Sequence, residues 1–244
     1  MTNLRTSQFS PNTYARTGGV LYLIIIVAGL FGEMFVRNSL IVSGDAAATA
    51  NNILGSQLLW RIGISVDLIM QVCDLPLMFI FYVLLKPVNK NLALLNLLFN
   101  LIQTAVLVAN KLNLVLALFF LGDAEYLTAF DPKQLQTLSY LSIRLHDYGF
   151  GIGLIFFGFV CLIEGRLIIK SGFWPKAIGV LMQVAGVFYL VNSFSLLIAP
   201  NFASTLFPYI MVPCFVAELS FCLWLLIKGV NVPLWDRRVM ENLN

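Results

Sequence analysis

The sequence predicts an all-α, polytopic integral membrane protein with six transmembrane helices. Of its 244 residues, 59% are hydrophobic and only 11% are charged, whereas soluble domains average roughly 45–50% apolar and about 25% charged residues. The apolar residues fall in long stretches bounded by polar or turn residues, and about 20 apolar residues cross the hydrocarbon core as a helix. The stretches lack the period-two alternation of a membrane β-barrel. The composition therefore excludes a water-soluble domain and a disordered chain.

Six stretches divide the chain into membrane spans. We predict a single transmembrane domain over residues 1–244, with spans at about 18–37, 57–85, 92–118, 138–164, 173–197 and 208–228. The second and third stretches exceed what a perpendicular helix needs, so we expect them to tilt or to include an interfacial turn.

The first span could also be a cleaved secretory signal, because a charged flank precedes it. Ala46, Ala47 and Ala48 offer small residues for cleavage. These alanines lie well beyond the apolar stretch, however, and Glu33 interrupts its end. We therefore predict an uncleaved first helix.

The distribution of basic residues predicts that the N-terminus and the C-terminus are both cytoplasmic. Ten basic residues fall on the side of the N-terminus, two on the opposite side, and three within spans. The inner ten are Arg5, Arg16, Lys86, Lys90, Arg166, Lys170, Lys176, Lys228, Arg237 and Arg238; the outer two are Arg37 and Lys133; those within spans are Arg61, Lys111 and Arg144. The expected location is the bacterial cytoplasmic (inner) membrane.

The cysteines and the net charge limit the ligands that the sequence supports. Cys73, Cys161, Cys214 and Cys222 all lie in apolar spans, and none forms a Cys-x-x-Cys pair. We therefore predict no structural disulfide, no metal site and no cofactor. The formal net charge is only +3, and the absence of a basic tract argues against nucleic acid as a partner.

Apart from those assigned to the span ends, eight Lys, Arg, Asp and Glu residues fall within the predicted spans, together with the single histidine. A charged side chain at the bilayer centre costs roughly 2.5–3.5 kcal/mol on insertion scales. The nine are Glu33, Arg61, Asp67, Asp74, Lys111, Arg144, His146, Asp147 and Glu218. We expect them to face one another or a polar cavity.

Helical spacing places several polar residues on shared faces. They are Asp67, Gln71 and Asp74 in the second span, Asn96, Asn100, Gln103 and Asn110 in the third, and Tyr140, Arg144, Asp147, Tyr148 and Gly151 in the fourth. Arg61 does not share the Asp67 face, because six residues at 3.6 per turn separate the two by about 120°.

Depth along the spans sorts the ionisable residues into two groups. The outer group, predicted to bind a ligand together with Asp67, is Glu33, Arg61, Lys111, Arg144, His146, Asp147 and Asn192. With three basic residues against two acids, this group suits an anionic head group or carboxylate. Asp67, Asp74 and Glu218 lie nearer the midplane and are predicted to handle protons or cations.

Structural explanations remain open for the same residues. Lys111, Arg61 and Glu33 are close enough to an interface to snorkel. Arg144 and Asp147 could neutralise each other at i and i+3 of one helix. The Asn and Gln stripes could hydrogen-bond between helices without any ligand. Gly149 and Gly153 fit close helix packing, with a homodimer contact as the alternative.

Several short motifs resemble a bacterial membrane family known as domain of unknown function 4386. They are Gly44-Asp45-Ala46-Ala47-Ala48-Thr49-Ala50-Asn51-Asn52-Ile53, Arg61-Ile62-Gly63, Asp67-Leu68, Tyr82, Lys86-Pro87-Val88-Asn89, His146-Asp147-Tyr148-Gly149-Phe150, Phe157-Gly158, Gly165, Ser171-Gly172-Phe173 and Pro175. The resemblance spans roughly residues 16–199 and implies a multi-pass bacterial membrane protein. It supplies no activity, substrate or catalytic residue.

Three functions are consistent with these observations. The least contradicted is a non-catalytic membrane protein with an outward-opening polar pocket that binds a small molecule or a lipid head group. A small ion-coupled transporter is the first alternative, supported by the acids near the midplane. A lipid-processing enzyme is the second, with Asp147 and His146 as acid and base candidates; whether the protein is an enzyme stays open.

Overall fold

The computed structural model describes residues 10–241 and is all-α. About 87% of the described residues are helical, and no strand occurs among them. In chain order the helices are α1 (Pro11–Leu30), α2 (Asn38–Leu40), α3 (Ala46–Gly55), α4 (Gln57–Leu85), α5 (Lys90–Phe120), α6 (Pro132–Ser171), α7 (Lys176–Ile198), α8 (Pro200–Leu206), α9 (Met211–Ile227) and α10 (Val232–Glu241). Arg5, one of the predicted inner basic residues, lies outside the described residues.

The predicted spans correspond to long apolar helices. Five helices are long and apolar enough to cross a membrane, counting Pro11–Leu40 as one. The sixth candidate is the pair α8 and α9, which bends by 54° at the intervening break. A π-helical segment, Phe31–Arg37, joins α1 to α2. The membrane-spanning class predicted from hydropathy is therefore confirmed, with α6 much longer than its predicted range of 138–164.

Short helices occupy two places where the sequence predicted none. Ala46–Gly55 was expected to be part of an outer loop, but it forms α3, because the Asp45 side chain accepts from the backbone N–H of Ala48 at 2.8 Å and caps the helix. A 3₁₀ helix at Glu125–Ala129 fills the next connection on that side. The last helix, α10, is amphipathic and lies beyond the sixth span.

Local sequence signals set the ends of α6. Asp131 caps its start, Pro132 occupies the first turn, and Gln134 completes a capping box. Gly172 ends the helix with φ of 77°, in the left-handed region that favours glycine.

The six long helices form a closed ring. Around the ring, α4 packs against α5, α5 against α6, α6 against α7, and α7 against α9. The ring closes because α9 also packs against α1, and α1 packs against α4. One end of the ring carries α3, which lies against α6; we call it the α3 end. The opposite end carries α10, where the Trp235 indole donates to the Leu84 carbonyl at 3.1 Å; we call it the α10 end.

The closest helix contact in the ring joins α6 to α7 through glycines. A Cβ added to Gly179 would lie 2.6 Å from the Gly165 carbonyl oxygen, and one added to Gly186 would lie 2.7 Å from the Gly158 carbonyl oxygen. The two backbones therefore touch without side chains between them, as small-residue packing in membranes predicts. Gly153 faces Leu107 of α5, so this part of the predicted glycine motif packs within the chain.

We expect Gly165→Ala to destabilise the protein, because the added methyl group would overlap the α7 backbone, which cannot rotate away. Overpacking of this kind costs about 1–3 kcal/mol, measurable as a lower midpoint of thermal unfolding in detergent. Gly29→Ala is the matched control, since its Cβ would meet only the flexible Met70 thioether, at 3.4 Å. Equal midpoints for the two variants would contradict the close α6–α7 contact.

Candidate functional site

A cavity of about 650 Å³ occupies the middle of the ring. Each of the six long helices contributes to its lining, with Tyr22 from α1, Gln71 from α4, Gln103 from α5, Glu164 from α6 and Tyr189 from α7, and with Glu218 from α9. Most of the lining is apolar. The cavity therefore depends on closure of the whole ring.

The cavity opens between α1 and α9. Leu30 and Met34 line it from the end of α1 and the π-helical segment, while Val212 and Phe215 line it from the start of α9. These four side chains are also exposed on the outside of the protein, Met34 by 59% and Val212 by 57%. Because the outside of an apolar ring faces hydrocarbon, the opening faces lipid on the α3-end half of the protein.

Three carboxyl groups project into the cavity from three different helices. Glu218 accepts hydrogen bonds from the hydroxyls of Tyr22, at 3.2 Å, and Tyr189. Asp74 accepts from the Thr104 hydroxyl. Glu164 is 3% exposed, and its Oε1 has no hydrogen-bond partner among the described residues. None of the three carboxyls forms an ion pair within residues 10–241.

Three amide side chains add further acceptor oxygens. Gln71, Asn100 and Gln103 line the cavity and are nearly inaccessible to bulk solvent. Their side-chain oxygens lack a hydrogen-bond partner in the part of the chain that the structure describes. The lining contains no Lys, Arg or His. The cavity therefore combines apolar walls with several unpaired acceptors and no basic group.

The other two members of the α5 stripe join helices instead. The Asn96 amide donates to the Val160 carbonyl at 2.9 Å, and the Asn110 amide donates to the His146 carbonyl at 2.8 Å. Both bonds link α5 to α6. The polar stripe of α5 is therefore buried. Two of its members line the cavity, and the other two hydrogen-bond to α6.

A separate charged cluster lies toward the α3 end of the ring. Asp67 is fully buried, and its Oδ2 accepts from Arg37 Nη1 and from Lys111 Nζ, each at 2.7 Å. Arg37 Nε also donates to Glu33 Oε2 at 2.8 Å. Two cations and two carboxylates therefore compensate each other, in contrast to the formal charge of +1 expected for the outer group.

The π-helical segment brings Arg37 and Glu33 to this cluster. A π turn contains an extra residue and changes which residues face inward, and such segments recur at functional sites. Gly32 is also required here, because a Cβ at this position would overlap Asp67 Oδ1. The backbone of the first span is thus shaped to fit the Asp67 carboxylate.

His146 borders the charged cluster from α6. Its Nε2 lies 3.3 Å from Lys111 Nζ. Because an ammonium group only donates, Nε2 accepts, and the ring proton is on Nδ1. Nδ1 has no hydrogen-bond partner among the described residues and lies 3.9 Å from Asp147 Oδ1.

The structure brings together only part of the predicted outer group. Glu33, Asp67, Lys111 and His146 meet in the charged cluster, and Lys111 is buried and does not snorkel. Arg61 is exposed on α4. Asn192 is buried on α7 but does not line the cavity.

Arg144 and Asp147 form a local pair on α6. Their side chains are 49% and 41% exposed, and the two groups are 3.1 Å apart at i and i+3. This geometry is the mutual neutralisation on one helix that their spacing allows, and the pair is not part of the buried cluster.

Sequence reasoning missed four residues that the structure places at these sites. Arg37 was assigned to the outer loop but is only 8% exposed; its spacing of four from Glu33 was the available signal. The predicted fourth span ends at Glu164, but this residue lies inside α6, which continues to Ser171. No pattern in the sequence pointed to Tyr22 or Tyr189. Of the predicted midplane acids, Asp74 and Glu218 line the cavity, whereas Asp67 belongs to the charged cluster.

The ring of apolar helices and its central cavity define a polytopic α-helical membrane protein. The family to which the chain belongs is the Domain of unknown function (DUF4386), whose model matches residues 17–229. The chain is also similar to an uncharacterized protein of Archaeoglobus fulgidus, with 31% identity over 158 residues that cover 65% of this chain and 78% of the relative. No solved structure matches the chain.

We expect Asp67→Ala to destabilise the protein strongly, because it leaves Arg37 and Lys111 buried without their shared counter-ion. Breaking a buried ion pair in this way costs about 3–5 kcal/mol. The free energy of unfolding, measured by SDS titration in micelles, reports the loss.

Asp147→Ala is the control, because it removes one partner of an exposed pair worth less than about 1 kcal/mol. If both variants unfold at the same SDS fraction, Asp67 does not hold the helices together as described.

Proposed function

We propose that this protein binds a lipid-soluble small molecule in its central cavity and admits that molecule from the bilayer between α1 and α9. The observation that carries the proposal is a cavity of about 650 Å³ whose rim is made of lipid-facing side chains. Binding is also the step that transport or lipid processing would require.

The chemistry of the cavity supports a ligand with an apolar body and a small polar group. Small-molecule sites are typically 300–1,000 Å³, mostly apolar, with a few placed polar groups. Leu77, Leu107 and Leu154 supply apolar wall, while Asp74 and Glu218 supply polar groups. Apolar molecules concentrate in the bilayer, so a lateral opening reaches them directly.

The charged cluster is a weaker candidate for the ligand site. Its cations already contact carboxylates at 2.7–2.8 Å, so an anionic head group would have to displace Asp67 or Glu33. We therefore assign Arg37, Asp67 and Lys111 a structural role and place the ligand beside Asp74, Glu164 and Glu218.

We further propose that the α10 end faces the cytoplasm of a bacterial inner membrane. Nine of the predicted inner basic residues lie in the described chain and gather at or near the α10 end; they are Arg16, Lys86, Lys90, Arg166, Lys170, Lys176, Lys228, Arg237 and Arg238. Such a bias marks the cytoplasmic side. In this orientation the opening between α1 and α9 lies in the outer leaflet.

We expect the double variant Met34→Trp, Val212→Trp to bind less of a lipid-soluble probe, because the two indoles narrow the opening. The probe is hexadecanol carrying a diazirine, photoactivated in zwitterionic proteoliposomes. In the unmodified protein, labelling of cavity peptides should saturate and should be suppressed by excess plain hexadecanol.

The matched control is Phe35→Trp, Val216→Trp, at neighbouring positions that face lipid and do not line the cavity. This control should retain saturable labelling. Labelling that never saturates in the unmodified protein, or that survives equally in both double variants, would refute entry through this opening.

Reporter fusions test the orientation. A C-terminal fusion to green fluorescent protein should fluoresce in a bacterial host, because that domain folds in the cytoplasm, whereas a C-terminal alkaline phosphatase fusion should be inactive. Alkaline phosphatase inserted after Glu125, in the connection at the α3 end, should be active. The reverse pattern would invert the proposed topology.

A further inference from the structure

We infer that the polar group of the ligand is a cationic amine, held by the carboxyls of Asp74, Glu164 and Glu218. This inference rests on the proposed function, because it specifies the chemistry of the molecule that enters the cavity. Two independent observations carry it: three carboxyl side chains line the cavity without a basic residue, and several acceptor atoms of the lining residues are unpaired among the described residues.

The charge of the lining favours a cation. Asp74, Glu164 and Glu218 line one cavity whose lining has no basic residue, and none of the three forms an ion pair within residues 10–241. Carboxyls within a membrane protein pair with cations or mark an ion or substrate site. The charged cluster nearby shows the alternative within the same chain, since Asp67 there has two cations of its own.

The unpaired atoms favour a hydrogen-bond donor. Side-chain oxygens of Gln71, Asn100, Gln103 and Glu164 lack a partner among the described residues, and these side chains are 3–7% exposed. These four residues belong to the cavity lining, and the unpaired atom of each is an acceptor. Buried acceptors without donors are costly, and an ammonium group, which has donors and no acceptor, is their chemical complement.

The hydroxyl groups in the cavity increase this demand for donors. Tyr22 and Tyr189 each donate their proton to Glu218, and Thr104 donates to Asp74. Their protons are therefore committed, and the lone pairs that remain on these oxygens can only accept. The same bonds fix the orientation of both carboxyls.

Aromatic rings around the carboxyls add a second attraction for a cation. Tyr22, Phe81, Phe157 and Tyr189 line the cavity, and the Phe157 and Tyr189 ring centroids are 5.2 Å apart. The faces of such rings attract ammonium groups. They also pack well against the hydrocarbon part of an amphiphile.

The geometry favours an organic cation over a metal ion or an anion. No group of three His, Cys, Asp or Glu side chains in the described residues could hold a metal ion, and the cavity is far larger than an ion. An anion would meet carboxyls without any basic partner. The hydrocarbon part of a lipophilic amine would pack against the apolar walls, and its ammonium group would donate hydrogen bonds to the carboxyl and amide oxygens.

Competition in the photolabelling assay tests the inference on the unmodified protein. Hexadecylamine, hexadecanol and hexadecanoic acid compete with the diazirine hexadecanol at matched amounts per lipid and at pH 7. We expect the amine to suppress labelling at a concentration lower by about tenfold or more than the alcohol, as one charge-assisted hydrogen bond predicts. The acid should be the weakest competitor.

Variants of the cavity carboxyls test whether these groups cause the stronger competition by the amine. Glu164→Gln with Glu218→Gln should reduce the advantage of the amine over the alcohol, measured as the ratio of their half-suppressing concentrations, because Asp74 is then the only carboxyl that lines the cavity; an unchanged ratio would contradict the inference. Glu125→Gln, an exposed carboxyl far from the cavity, should keep the advantage.

The outcomes separate this inference from the proposed function. If the three competitors act at equal concentrations on the unmodified protein, the amine inference is overturned and the cavity remains a lipid-soluble ligand site. If the acid competes best, the inference is likewise overturned. If labelling never saturates with any of them, the proposed function is overturned as well.

Discussion

The carboxylate of Asp67, shared between Arg37 and Lys111, is the interaction on which the α3-end half of the molecule depends. It joins the first three membrane spans at one buried point. Each partner would be costly in lipid by itself, so the three side chains hold their helices in one register. Gly32 leaves room for the Asp67 carboxylate, and the π-helical segment carries Arg37 to it. The cavity lies immediately beyond it, with Gln71 one turn along α4 from Asp67.

Counter-ions distinguish the two polar regions of the protein. Both contain buried carboxyls on facing helices, but Asp67 has its cations supplied by the chain, whereas Asp74, Glu164 and Glu218 have none in the described residues. A compensated cluster stabilises a fold and gains nothing from a ligand. An uncompensated one is completed by a ligand of opposite charge. This contrast supports the proposal that a ligand binds in the cavity and not in the charged cluster.

The ring of helices is closed unevenly, and this determines where the cavity opens. On one side, α6 and α7 meet backbone to backbone through glycines. On the other, α1 and α9 are the first and last spans, and the exposed side chains of Met34 and Val212 line the cavity at the α3-end half. The seam that closes the ring is therefore the entry route that we propose for a molecule from lipid.

The sequence by itself determined the membrane-spanning class, the approximate positions of the six long helices and the inward faces that carry Asp74, Asn100 and Gln103, because hydropathy and helical period are local properties. Only the tertiary structure decided which polar residues are partners. Arg37 pairs with Asp67 thirty residues away, and Glu164 shares the cavity with Glu218, although neither relation leaves a periodic trace. Arg144 and Asp147, which the sequence analysis predicted to bind a ligand, instead pair with each other at the surface of α6. Partners across a ring depend on where helices cross, which the sequence of each helix alone does not specify.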